Sequence, residues 1–193
     1  MAAQHNIRAK MMGHHLVPVV TFNDGDDPIA FMEFLMEQGV HCIEVTLRTE
    51  AGLKAIGTLK RAFANRALIG AGTVTNPKQV EALVALKADF IVSPGLTPDL
   101  HKVFENAGIA YLPGIATPSE LMQAIEWGLD TLKFFPANLF GGYDALKAYG
   151  QVFPTVQFCP TGGITAETSN KYLDLANVFA VGGSWFQKDF QKK

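Results

Sequence analysis

Short, β-rich apolar runs recur along the chain at a nearly constant interval. They are LVPVVTF (16–22), HCIEVTL (41–47), ALIGAGT (67–73), DFIVSPG (89–95), AYLPGI (110–115), TLKFFP (131–136), VQFCPTGG (156–163) and VFAVGGS (178–184). Between them lie stretches with apolar residues at helical spacing, such as PIAFMEFLMEQG and PKQVEALVALKAD. Eight strands alternating with helices predict parallel βαβ units. Strands that are apolar almost throughout fit a sheet covered on both faces.

The punctuation has the same period. Asn76-Pro77, Thr97-Pro98 and Thr117-Pro118 each put a capping side chain before a proline at the first helical position. Thr117 and Glu120 also have capping-box spacing. Gly39, Gly108 and Gly128 stand where helices should stop. Eight such units close naturally into a compact (β/α)8 TIM barrel, with an open doubly wound sheet as the alternative. A single barrel domain over 1–193 is expected: an N-terminal helix in 1–15, the barrel over 16–186 and a tail over 187–193. The stretch IRAKMMGHHL can plug the N-terminal face as a short amphipathic helix.

Composition narrows the function classes. The chain has 193 residues, 48% hydrophobic, and a net charge of −2, with no basic run interleaved with aromatics. Nucleic-acid binding therefore has no electrostatic footprint. Both cysteines, Cys42 and Cys159, lie in apolar runs and read as buried small hydrophobes. No apolar segment approaches a membrane span, and the N-terminus lacks the apolar core of a signal peptide. A soluble cytoplasmic protein is expected.

Strand parity locates the polar residues. Cys42, Glu44, Thr46 and Arg48 share one parity and the apolar Ile43, Val45 and Leu47 the other. In TLKFFP, Thr131, Lys133 and Phe135 oppose Leu132 and Phe134. Glu44 and Lys133 are thus both predicted to point into the barrel, with Arg48 at its mouth. By themselves the two could be a buried ion pair. Three features favour a site. Thr73 and Thr161 lie at strand ends, Arg48 offers a planar anion clamp, and Gly162-Gly163 and Gly182-Gly183 follow the last two strands. The loops after those strands commonly bind phosphate in this fold, and Ser184 adds a hydroxyl.

An amine in a dry pocket is more often neutral, because burial disfavours its charged form. A neutral lysine adds to a ketone and gives an iminium, which acts as an electron sink. A nearby carboxylate can then move protons during carbon–carbon cleavage. Lys133 and Glu44 supply that pair. The five histidines show no HxH, HxxxH or HExxH spacing, so a metal-dependent reaction is not indicated.

The ordered motifs EVTLRT (44–49), GAGTV (70–74), SPG (93–95), PGIAT (113–117), LKFFPA (132–137), CPTGGI (159–164) and GGSW (182–185) resemble the bacterial 2-keto-3-deoxy-6-phosphogluconate (KDPG) aldolases. The resemblance runs from about residue 16 to 186. It implies a class I aldolase with Lys133 as the Schiff-base lysine and Glu44 as general acid/base. Arg48 and Thr73 would hold the pyruvate carboxylate. Pro94 and Phe135 would wall the pyruvyl unit, and Thr161, Gly162, Gly163 and Ser184 would line the distal, phosphate-binding pocket. It further implies a cytoplasmic homotrimer that needs no metal or organic cofactor, and activity that can extend to 4-hydroxy-2-oxoglutarate.

The chain departs from the family after GGSW, where only FQKDFQKK remains. A truncated last helix is expected there, leaving apolar strand surface to be covered by other means. Two other readings stay open: a non-catalytic phosphosugar-binding barrel, and an aldolase for the galactonate epimer.

Overall fold

The computed structural model describes residues 5–192. Its strands are β1 (Leu16–Val20), β2 (Cys42–Thr46), β3 (Leu68–Gly72), β4 (Phe90–Val92), β5 (Ala110–Leu112), β6 (Gly114–Ile115), β7 (Thr131–Phe134), β8 (Gln157–Pro160) and β9 (Val181–Gly183). Its α-helices are α1 (His5–Lys10), α2 (Pro28–Glu37), α3 (Ala51–Phe63), α4 (Pro77–Ala85), α5 (Pro98–Ala107), α6 (Pro118–Glu126), α7 (Gly142–Val152), α8 (Ala166–Leu173) and α9 (Trp185–Phe190). A 3₁₀ turn (Ala137–Leu139) follows β7. Among the described residues, no helix is long and apolar enough to cross a membrane.

The expected caps form. Asn76, Thr97 and Thr117 each accept a backbone N–H of the helix they precede, with proline in the first turn. Glu120 completes a capping box by accepting the Thr117 N–H at 2.9 Å. Helix α5 stops at Gly108, whose φ of 63° lies in the left-handed region.

Every strand pair is parallel, in an α/β fold with a curled sheet. The strands form two ladders, in the orders β5-β4-β3-β2-β1-β9 and β6-β7-β8. Where one unbroken eight-stranded ring is expected, two seams appear. The run AYLPGI is split into β5 and β6 at Pro113, which has no N–H to donate. Its carbonyl still accepts from Lys133 N at 2.8 Å, so β5 faces β4 while β6 faces β7. At the other seam, β8 reaches the segment of β9 through isolated bridges, Phe158 to Val178 and Thr161 to Gly182.

Two apolar clusters follow from strand parity. The outer one joins Ile43, Val45, Leu132 and Phe134 to the helices. The inner one holds Val17, Cys42, Phe90, Leu112 and Cys159, and it also contains Ile7 and Met11. Those last two are four residues apart, so they share one face of the N-terminal segment and plug the inner cluster as expected. Residues 1–4 of the expected N-terminal helix lie outside the described residues.

The truncated last helix expected after GGSW is present, and it takes up part of the stretch expected as a tail over 187–193. Residues 185–190 form a docked helix. Phe186 is buried, and the Phe190 ring packs edge-on against Phe31 at 5.1 Å and obliquely against Phe34 at 5.3 Å. The i,i+4 spacing of the two phenylalanines gives even this short helix an apolar face.

Burial pushes the Cys159 thiol up to about 12, and the same cause raises that of Cys42. Since the thiolate is the reactive form, neither cysteine should react with iodoacetamide in the native protein at pH 8. Both should be alkylated after unfolding in urea. Rapid native labelling of either, read by intact mass, contradicts this packing.

Candidate active site

The strand TLKF carries Lys133 between two side chains of the outer cluster, Leu132 and Phe134. Period-2 alternation therefore turns Lys133 inward, where it is 5% exposed. Strand β2 does the same for Glu44, which is 3% exposed. Lys133 Nζ donates to Glu44 Oε1 at 3.1 Å. The ammonium also lies 5.2 Å from the centre of the Phe135 ring, within cation–π range.

The carboxylate has room because of one glycine. Gly72 ends β3, and a Cβ there would overlap the Glu44 carboxylate. Glycine at this position thus lets the acid lie against the backbone and reach Lys133. Gly182 does the same for Thr161, whose Oγ1 would collide with a Cβ. Sequence reasoning missed Gly72 as part of the site. The signal was register: Gly72 pairs with Thr46, on the strand that carries Glu44.

The other expected site residues stand at the carboxyl ends of the strands, where barrel chemistry gathers. Arg48 is exposed beyond β2 and makes no ion pair among the described residues. Thr73 follows β3 with φ 60°, a strained backbone for a β-branched residue. Pro94 follows β4 and is half-buried. None of these, nor Ser184, forms a hydrogen bond to Lys133 or Glu44.

Thr161, Gly162 and Gly163 form one wall with the turn after β7. Ala137 N donates to Thr161 O at 2.9 Å and Asn138 N to Gly162 O at 3.2 Å. Gly162 and Gly163 have φ of 106° and 71°, and a Cβ on Gly163 would run into the Asn138 side chain. Among the described residues, Thr161 Oγ1 is buried with no conventional hydrogen-bond partner and the Cys159 thiol as a weak one. A buried hydroxyl so weakly bonded has donor capacity to spare. Across the mouth, Thr21 Oγ1 and Thr46 Oγ1 share a hydrogen bond of 2.7 Å, a pair that sequence reasoning left out of the site.

The opposite end of the strands carries a different set of groups. A cavity of about 600 Å³, lined by Met11, Met12, Leu173 and Phe179, opens beside α1. It holds no paired acid and amine, so its size does not make it the reactive centre. His14 is also at that end, its pKa lowered by burial and then by His41 and His15. Among the described residues, no three His, Cys, Asp or Glu side chains are grouped to hold a metal ion.

The arrangement resembles that of known proteins throughout its length. A family model described as KDPG and KHG aldolase matches residues 7–193. The 2-dehydro-3-deoxy-phosphogluconate aldolase of Pseudoalteromonas atlantica is 45% identical over 174 residues, which cover 90% of this chain and 80% of that protein. The KDPG aldolase of Legionella pneumophila, solved with pyruvate captured as a covalent carbinolamine intermediate, superposes with a TM-score of 0.86 at 41% identity, covering 92% of this chain and 88% of the other. The KDPG aldolase of Zymomonas mobilis ZM4, solved with 3-phosphoglycerate, gives a TM-score of 0.89 at 41% identity, over 94% of this chain and 86% of that one.

The weakly partnered Thr161 hydroxyl sets a stability test. Removing a buried polar group that lacks a good partner relieves a desolvation cost. Thr161→Val should leave the unliganded protein as stable as the parent, or up to about 1 kcal/mol more stable, in urea unfolding. A loss of about that size would mean the hydroxyl is well bonded without ligand.

Proposed function

The chain belongs to the KDPG and KHG aldolase family, and from that membership we propose a class I aldolase that cleaves KDPG to pyruvate and glyceraldehyde 3-phosphate. The reading extends to 4-hydroxy-2-oxoglutarate, which would give pyruvate and glyoxylate. One observation carries the assignment of roles: the buried Lys133 Nζ lies 3.1 Å from Glu44 Oε1.

The Lys133 amine adds to the C2 ketone, and the carbinolamine loses water to give an iminium. Glu44, already in contact with Nζ, moves the protons of that dehydration. It next removes the proton of the C4 hydroxyl. The C3–C4 bond then breaks, its electrons flow into the iminium, and an enamine and the aldehyde result. Protonation of the enamine at C3 and hydrolysis release pyruvate and restore the amine. The iminium formed on Lys133 is the electron sink, so the scheme needs neither a metal nor an organic cofactor.

Arg48 and Thr73 hold the carboxylate next to C2, the guanidinium as a planar fork. Pro94 and Phe135 wall the pyruvyl unit. Thr161 reaches the distal part of the substrate, while Gly162, Gly163 and Ser184 receive the phosphate. Backbone N–H groups in a glycine turn suit a dianion because no side chain blocks their approach. In this proposal the chain works as one domain, its two ladders closed into a (β/α)8 barrel, as a homotrimer in the cytoplasm.

Incubation with pyruvate and borohydride should fix one reduced pyruvyl group on Lys133, located by peptide mass. Lys133→Ala should abolish it. Glu44→Gln should slow KDPG cleavage about 10²-fold or more. A folded parent protein that gains no adduct and turns over nothing is a phosphosugar-binding barrel. Faster cleavage of the galactonate epimer than of KDPG reassigns the substrate.

A further inference from the structure

The short last helix reaches the active-site end through one side chain. Within a strand, the N–H and C=O of a residue point to the same neighbour. At Thr21, just past β1, that neighbour would be β9, but β9 ends at Gly183, which pairs with Pro18. Gln187 on α9 fills the gap. Its Nε2 donates to Thr21 O at 2.7 Å, and its Oε1 accepts from Thr21 N at 3.2 Å. The helix that presents Gln187 is held by Phe186 and by Phe190 against Phe31 and Phe34.

Thr21 passes this constraint inward. Val19 pairs with Glu44 and Val20 with Val45, so the next step sets Thr21 beside Thr46. Their hydroxyls are 2.7 Å apart, and Thr46 is fully buried. Thr46 is in turn the register partner of Gly72, whose missing side chain makes the space occupied by the Glu44 carboxylate. Glu44 and Thr46 are two residues apart on β2, so their side chains share one face, and the carboxylate lies over Gly72 at the level of Thr46.

We propose that Gln187 is a positioning residue for Glu44, acting through the Thr21–Thr46 hydroxyl pair. The amide fixes the end of β1, Thr21 fixes the rotamer of Thr46, and Thr46 limits where the carboxylate can go. The inference rests on the aldolase reading, in which Glu44 transfers protons at the carbon next to the one bound to Lys133.

The test separates the extent of imine formation, an equilibrium reached on long incubation, from the rate of that proton transfer. Once pyruvate is bound as an iminium, loss of a methyl proton to Glu44 gives the enamine. Return of a deuteron from D₂O then labels the methyl group, which proton NMR follows. Thr21→Val, nearly isosteric, and Gln187→Ala should both trap pyruvate on Lys133 to the parental extent. Each should exchange methyl protons about fivefold or more slowly, because a misplaced base loses rate steeply. Thr21→Ser should keep exchange within about twofold of the parent, since it keeps the hydroxyl. A purely structural role would lower the urea midpoint and leave exchange in the folded protein unchanged. Exchange within that twofold margin for both Thr21→Val and Gln187→Ala overturns the proposal. Failure of the parent itself to trap pyruvate overturns the aldolase reading instead.

Discussion

The contact between Lys133 and Glu44 organises this molecule. Taking an amine and a carboxylate out of water costs more than their attraction reliably returns, and a well-packed apolar pair would serve stability as well or better. The fold nevertheless arranges several features around the two. Two strands present them at inward positions, Gly72 gives up a side chain for the carboxylate, and Phe135 offers its ring face to the ammonium. Such expense at one spot is intelligible when the groups must meet a substrate together. Proximity of a nucleophile to its proton carrier removes an entropic barrier that diffusion would impose.

Other unfavourable features gather at the same ends of the strands. Both buried hydroxyls without a conventional partner among the described residues, Ser93 and Thr161, follow strands β4 and β8 at their carboxyl ends. Thr73 holds a left-handed backbone right after β3, at a cost of about 1–3 kcal/mol. The amino ends of the strands are quieter. There, Ile7 and Met11 seal the inner cluster with ordinary apolar contacts, joined by Cys42. The fold thus separates ordinary apolar packing from its costly polar features along the strand direction.

Much of this was legible in the sequence, and the reason is periodicity. Alternation in CIEVT and TLKF fixes which residues face inward without knowledge of any partner strand. The Asn76, Thr97 and Thr117 caps were readable because each is a local hydrogen bond over three residues. What escaped depends on contacts distant in sequence. Gly72 stood in the GAGTV motif with no role of its own until register set it opposite Thr46. The seam at Pro113 was visible as a proline, yet its effect on the sheet required knowing that both neighbouring strands need that backbone. The truncated last helix was expected, but its docking was not readable, because its partners Phe31, Phe34 and Thr21 lie more than 150 residues earlier in the chain.

Helix α9 is held by two kinds of contact that do different work. Its aromatic contact is Phe190 on Phe31 and Phe34 beside the buried Phe186, and its polar contact is the Gln187 carboxamide on Thr21. The aromatic contact supplies apolar burial, which is non-directional and sets no precise position. The carboxamide supplies direction, since its paired donor and acceptor fit only one placement of the Thr21 peptide groups. Burial keeps the helix on the barrel, whereas the hydrogen bonds fix the strand end beside it. That strand lies next to the one bearing Glu44, so the hold of α9 on Thr21 reaches the immediate neighbour of the strand that carries the buried carboxylate.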